Sequence, residues 1–292
     1  MPRYARNDDL NSHNVSPDLA DIDQLKKHLK RYGLWADKAL GQHFLTDKKV
    51  LDDIIAAAEL STKDHVLEVG AGPGVLSQRL APLVGELLSL EIDRVMIVPW
   101  RDLMKDFPNA QIQAQDVLQF VPEDKPYKLV ANIPYYITSP IIKHFLRHQD
   151  LRRPDLIVLL MQREVAERIV DRKKPTLLSW ELRVFGDPKI VGLVPPQAFY
   201  PPPKVDSAIL QLRIFDQPLI EEDQLESFFK LLSIAYHQPR KTLLNNFSSA
   251  GKWTRDQLDP MFEKVGVISS LRPHQLDFEQ WKKLLVIFSK DS

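Results

Sequence analysis

The chain has 292 residues, 44% of them hydrophobic, with 39 basic and 39 acidic side chains and a formal net charge of zero. This excludes a largely disordered chain and one that holds nucleic acid by global charge alone. There is no cysteine, no apolar run of the roughly 18 residues a membrane span needs, and no apolar secretory core near Met1, so disulfides, thiolate metal sites and membranes are not expected, and a cytoplasmic setting is; no residue is assigned as a metal ligand.

Residues 1 to about 24 are polar and aperiodic and read as a mobile arm. DQLKKHLKRYGL follows as a basic helix carrying Lys26, Lys27, Lys30 and Arg31, and residues 1–35 are taken as arm plus helix. HVLEVG reads as a strand, GVLSQRLAPLV as a helix, ELLSLEID as a strand and RVMIVPWRDLMKDF as a helix. AQIQAQD and YKLVAN read as strands, PIIKHFLRH as a helix, DLIVLLMQ as a strand and REVAERIV as a helix. Such alternation predicts a mostly parallel sheet with helices on both faces, an α/β fold, over residues 36–216. Five prolines between Pro195 and Pro203 enforce an extended segment before the strand VDSAILQLRI. LESFFKLLSIAYH, RDQLDPMFEKV and FEQWKKLLVIF have helical spacing, which predicts a small helical domain over 217–292. Arg147, Arg152 and Arg153 form a second basic cluster, and Arg172, Lys173 and Lys174 a third.

VLEVGAGPG places Gly70, Gly72 and Gly74 between a strand and a helix, where glycine permits a sharp turn and close ligand approach. The G-x-G-x-G spacing is neither the dinucleotide fingerprint nor the phosphate loop, and Pro73 removes an N–H that a phosphate would need. A phosphate-free cofactor, S-adenosylmethionine, fits better. Glu91 stands 19 residues after Gly72 at a strand end, placed for a ribose diol. Asp93 is the alternative, and reads better as the cap of the next helix. Asp116, ending the third strand, can accept from an adenine amine.

NIPYYITSP places Asn132 at the end of the fourth strand, with Pro134 stiffening the backbone and Tyr135 offering a stacking face. Adenine N6 is a poor nucleophile because its lone pair is delocalised into the ring. Acceptors on its hydrogens favour pyramidal geometry and aim the lone pair, so a neutral Asn suffices and no strong base is required.

KALGQHFLTD, VLEVGAGPG, EID, QD, NIPYYITSP, LMQREVAERI, VPPQAFYPPPKVDSA and YHQPRKTLLNNF follow one another over most of residues 38–247. In this order they resemble the ribosomal RNA adenine dimethylase family, in particular its small-subunit dimethyladenosine transferases. The resemblance implies a Rossmann-like methyltransferase sheet and S-adenosylmethionine-dependent N6,N6-dimethylation of adenosines in small-subunit ribosomal RNA. It implies a cofactor pocket of His43, Leu45, Gly70, Gly72, Glu91, Asp116 and Asn132. The target base would meet Asn132, Pro134, Tyr135 and Phe199, with Phe199 opposite Tyr135. Arg240 and Lys241 would sit near the junction with the helical domain. A monomer acting on a partly assembled small subunit is expected, since the target base must be unstacked. Where the family carries PGSKxYG, this chain has VDRKKPTLLSWE, and the family is usually more basic. The alternatives are a large-subunit methylase of the erythromycin-resistance type and a non-catalytic ribosome-assembly factor. A DNA adenine methylase would instead carry Asp-Pro-Pro-Tyr.

Overall fold

The computed structural model describes residues 16–36, 41–134, 137–148 and 151–288. Its strands are β1 (Phe44–Leu45), β2 (His65–Val69), β3 (Glu86–Glu91), β4 (Ala110–Ala114), β5 (Lys128–Asn132), β6 (Leu156–Gln162), β7 (Gly186–Val194), β8 (Phe199–Tyr200) and β9 (Ser207–Ile214). Seven of them form one sheet in the order β4-β3-β2-β5-β6-β9-β7, and β1 pairs with β8 in a separate ribbon. The five strands from β4 to β6 are parallel, and β9 runs antiparallel between β6 and β7.

The helices are α1 (Ile22–Arg31), α2 (Lys48–Ala58), α3 (Ser77–Leu80), α4 (Ile97–Met104), α5 (Thr138–Arg147) and α6 (Arg163–Val170). They continue as α7 (Leu177–Arg183), α8 (Leu225–Ala235), α9 (Leu243–Ser249), α10 (Arg255–Lys264) and α11 (Phe278–Phe288). Because strand side chains alternate between faces, the apolar runs feed two cores. Leu129, Ala131, Ile157 and Leu159 join a core continuous with α8 to α11, which includes Phe228, Phe247 and Trp281. Val130, Val158 and Leu160 join the core beneath α1, α2 and the β1–β8 ribbon.

Several sequence expectations change. Residues 17–20 are packed, not part of a free arm, and Asp21 caps α1. Leu19 is fully buried, and Asp18 bridges Lys48 at 2.8 Å and Arg79 at 3.1 Å. Strand β7 escaped the sequence reading because GDPKIVGLV holds a proline and two glycines. As the edge strand it has one side unpaired, where a proline is tolerated. Helices α2, α7 and α9 were also unread. Two members of the 147–153 basic cluster are spent inside the fold: Arg147 pairs with buried Glu181 at 2.9 Å and lies over Phe229, and Arg153 pairs with Glu222 and lies over Phe185, while Arg152 stays at the surface near Asp124 and Asp155. The loop in place of PGSKxYG is built as a turn. Asp171 accepts from the N–H groups of Lys173 and Lys174, and Thr176 and Ser179 cap α7 reciprocally.

Candidate active site

A cavity of about 660 Å³ opens at the C-terminal ends of the parallel strands, lined by residues from β1, the turn after β2, the ends of β3, β5 and β6, and the Phe199 segment. This is where ligands bind in open α/β sheets. Of the sequence-predicted site residues, His43, Leu45, Gly70, Gly72, Glu91, Asp116, Asn132, Pro134 and Phe199 all line it. Tyr135 lies outside the described residues.

The glycine turn is fixed by sterics. Gly70 and Gly72 have φ of +76° and +53°, the region glycine enters most cheaply. A Cβ on Gly70 would press on Ile133 and the Asn132 carbonyl oxygen, and one on Gly72 would come within 3.0 Å of the Phe44 ring. Glu91 anchors this turn: its Oε2 accepts from the Gly72 N–H at 2.7 Å and its Oε1 from the Asp93 N–H at 2.8 Å. Burial raises the Glu91 pKa, the Asp93 charge adds to the rise, and the backbone donors oppose it. Asp93 caps the turn at Arg94–Met96, accepting from the Val95 N–H, and also accepts from Gln42 Nε2 at 3.1 Å. Asp116 caps the turn at Val117–Gln119 through the Leu118 N–H at 3.0 Å.

Behind the turn lies a network missed in the sequence. Glu68 Oε2 accepts from Ser77 Oγ at 2.5 Å and Ser89 Oγ at 2.6 Å, and Trp100 Nε1 donates to Ser77 Oγ at 2.7 Å. Glu68 is buried, and its Oε1 has no partner among the described residues. Burial pushes its pKa up to about 7, against the two serine hydroxyls and with a further rise from the Glu91 charge. A glutamate inside the apolar strand HVLEV was the available signal.

The β1–β8 ribbon closes one wall, with Leu45 opposite Phe199. His43 Nδ1 donates to the Pro201 carbonyl oxygen at 2.7 Å, tying the two segments together. Phe199 is only 3% exposed, so its ring is at once cavity wall and core. Asn132 ends β5, and its Nδ2 donates to the His43 carbonyl oxygen at 3.4 Å. A carbonyl can only accept, so this contact turns the Asn132 Oδ1 away as an acceptor. Gln42, Gln115 and Gln162 also line the cavity and were unread. Gln162 was findable, since a polar residue closing DLIVLLMQ before a helix sits as Asn132 does. Arg240 and Lys241 are exposed on the α8–α9 connection, outside the cavity lining. Asn246 cinches that loop, donating to the Gln238 and Thr242 carbonyls at 3.1 Å each.

The family model of ribosomal RNA adenine dimethylase matches residues 34–288. A protein of Dehalococcoides mccartyi named ribosomal RNA small subunit methyltransferase A is 36% identical over 274 residues, covering 92% of this chain and 94% of that one. Among solved structures, a dimethyladenosine transferase from Plasmodium falciparum superposes with a TM-score of 0.72 at 28% identity, covering 85% of this chain and 98% of that one. The 23S rRNA methyltransferase ErmE superposes with a TM-score of 0.67 at 28% identity, covering 84% of this chain and 99% of that one.

Proposed function

The chain belongs to the ribosomal RNA adenine dimethylase family, and from that premise we propose that its cavity transfers methyl groups from S-adenosylmethionine to N6 of adenosines in small-subunit ribosomal RNA. The lining supports this cofactor. Glu91, Asp93 and Asp116 contribute carboxylates, and no Lys or Arg stands among the described lining residues. Such a site suits a cationic, phosphate-free ligand. When bound, S-adenosylmethionine supplies an electrophilic sulfonium methyl. Glu91 is positioned for the ribose diol and Asp116 for the adenine amine, with His43, Leu45 and the Gly70 backbone on the walls.

Asn132 carries the chemistry in this reading. Its Oδ1 accepts an N6 hydrogen, favours the pyramidal amine and directs the lone pair toward the cofactor side. Phe199, buried in the cavity wall, would back the unstacked base with its fixed ring. The observation that carries the proposal is the Asn132 amide, which ends β5 in the cavity wall with its Nδ2 on the His43 carbonyl, one strand from β2 and the glycine turn.

The large-subunit alternative shares the fold, and the two solved structures are equally identical to this chain. The curated relatives, at 32–38% identity, carry the small-subunit name, which favours that substrate. Methyl transfer to small-subunit and large-subunit particles from cells lacking this activity separates the readings. Incorporation into the small particle is expected, and incorporation only into the large one would overturn the assignment.

A further inference from the structure

Gln162 is the last residue of β6 and lines the same cavity as Asn132. In the β5–β6 register Asn132 lies opposite Leu160, so Gln162 shares the Asn132 face, one two-residue step of roughly 6.6 Å further along the strand. Leu160 and Phe199 belong to one core, so Asn132, Gln162 and Phe199 lie on one side of the sheet. The Gln162 side chain is half-buried, and no hydrogen bond ties it to another described residue. A cavity-lining amide without a hydrogen-bond partner among the described residues is poised to meet a ligand's polar edge.

Which ligand follows from the strand order. Glu91 ends β3, and β6 stands beyond β2 and β5 from it, about 14 Å away at the usual strand spacing. Gln162 is therefore remote from the ribose side and adjacent to the Asn132 end, where the base enters. We propose that Gln162 reads the ring edge of the target adenine: its Nε2 donates to the ring nitrogen flanking the amine, N1 or N7, while Asn132 Oδ1 accepts from N6. Guanine has a carbonyl at C6 and a hydrogen on N1, so a base of that kind cannot satisfy both amides through the Watson–Crick edge. Pairing of a glutamine amide with an adenine edge is ordinary recognition chemistry. The inference rests on the proposed adenine-N6 reading.

The test uses the full chain and small-subunit particles carrying adenosine, 1-deazaadenosine or 7-deazaadenosine at the methylated position. Gln162→Met keeps the side-chain volume and Gln162→Glu keeps the shape but cannot donate. Both are expected to retain S-adenosylhomocysteine affinity and melting temperature. Both should lose roughly 10- to 100-fold in kcat/KM on adenosine, the size of one lost hydrogen bond to a buried partner. One deaza substrate should cost the wild type a similar factor and the variants nothing more. Equal further losses in variants and wild type on both deaza substrates would overturn the proposal, as would variants with wild-type turnover. Lost cofactor affinity or early melting in both variants would also overturn it, assigning Gln162 to the framework. If the wild type fails on adenosine particles, the adenine-N6 reading itself has failed.

Discussion

The side-chain Nδ2 of Asn132 donates to the backbone carbonyl of His43 at 3.4 Å, joining segments 89 residues apart. One hydrogen bond thus couples the end of the central strand to the segment that walls the cavity. It engages the Nδ2 end of the Asn132 amide, leaving Oδ1 as the end not held by His43.

Replacing Asn132 by Ala should therefore reduce methyl transfer by roughly two to three orders of magnitude, the usual effect of removing one preorganised group. Melting temperature and cofactor affinity should change little, because the His43 contact is long and half-exposed. Single-turnover kinetics beside calorimetry check this. Near-normal turnover would remove Asn132 from the mechanism.

For Glu91, substitution by Ala should weaken S-adenosylhomocysteine binding by about 1.5–3 kcal/mol, the range for a charged hydrogen-bond acceptor. Its raised pKa adds a sign. Protonation removes an acceptor from the ribose, so wild-type affinity should fall on acidification starting above the ordinary carboxylate range. Calorimetry across pH on both proteins reads it, and a pH dependence that persists unchanged in Glu91→Ala would assign the effect elsewhere.

Glu68 makes a prediction about stability. Its pKa is near 7 when folded against an ordinary 4.5, so folding favours the protonated form. The contribution is full below about pH 4.5, is lost as pH rises to about 7, and is flat above, a change on the order of 3 kcal/mol. Glu68→Gln mimics the protonated carboxyl. The wild type should lose stability relative to this variant across that window in denaturant titrations. Parallel curves would mean that Glu68 does not titrate there.

The burial of Phe199 changes the expected outcome of its substitution. A platform held only by prolines would leave stability untouched, but a ring 3% exposed that faces Leu45 should cost about 3–5 kcal/mol on truncation to Ala. Phe199→Leu separates the roles, since it retains most of the apolar contact and loses the flat face. Its melting temperature should stay near wild type while turnover falls. Full turnover in Phe199→Leu would leave the ring with a packing role alone.

The parallel half of the sheet was legible because short apolar runs such as LIVLLM alternate with helical patterns, which suits strands buried on both faces. The glycine turn, Glu91, Asp116 and Asn132 were legible because each stands where a strand ends. What escaped depended on tertiary partners. Arg147 and Arg153 look like surface charge until Glu181 and Glu222 are placed beside them. Leu19 looks like part of a polar arm until its burial is seen. Glu68 looks like one more acidic residue until Ser77 and Ser89 converge on it from elsewhere in the chain.

The central claim is tested most directly by nucleoside mass spectrometry of ribosomal RNA from cells lacking their own small-subunit adenine dimethylase and supplied with this chain. N6,N6-dimethyladenosine should appear in the small-subunit RNA with the wild-type chain and be absent with Asn132→Ala. Dimethyladenosine confined to the large-subunit RNA, or absent from both subunits despite folded wild-type protein, would contradict the account.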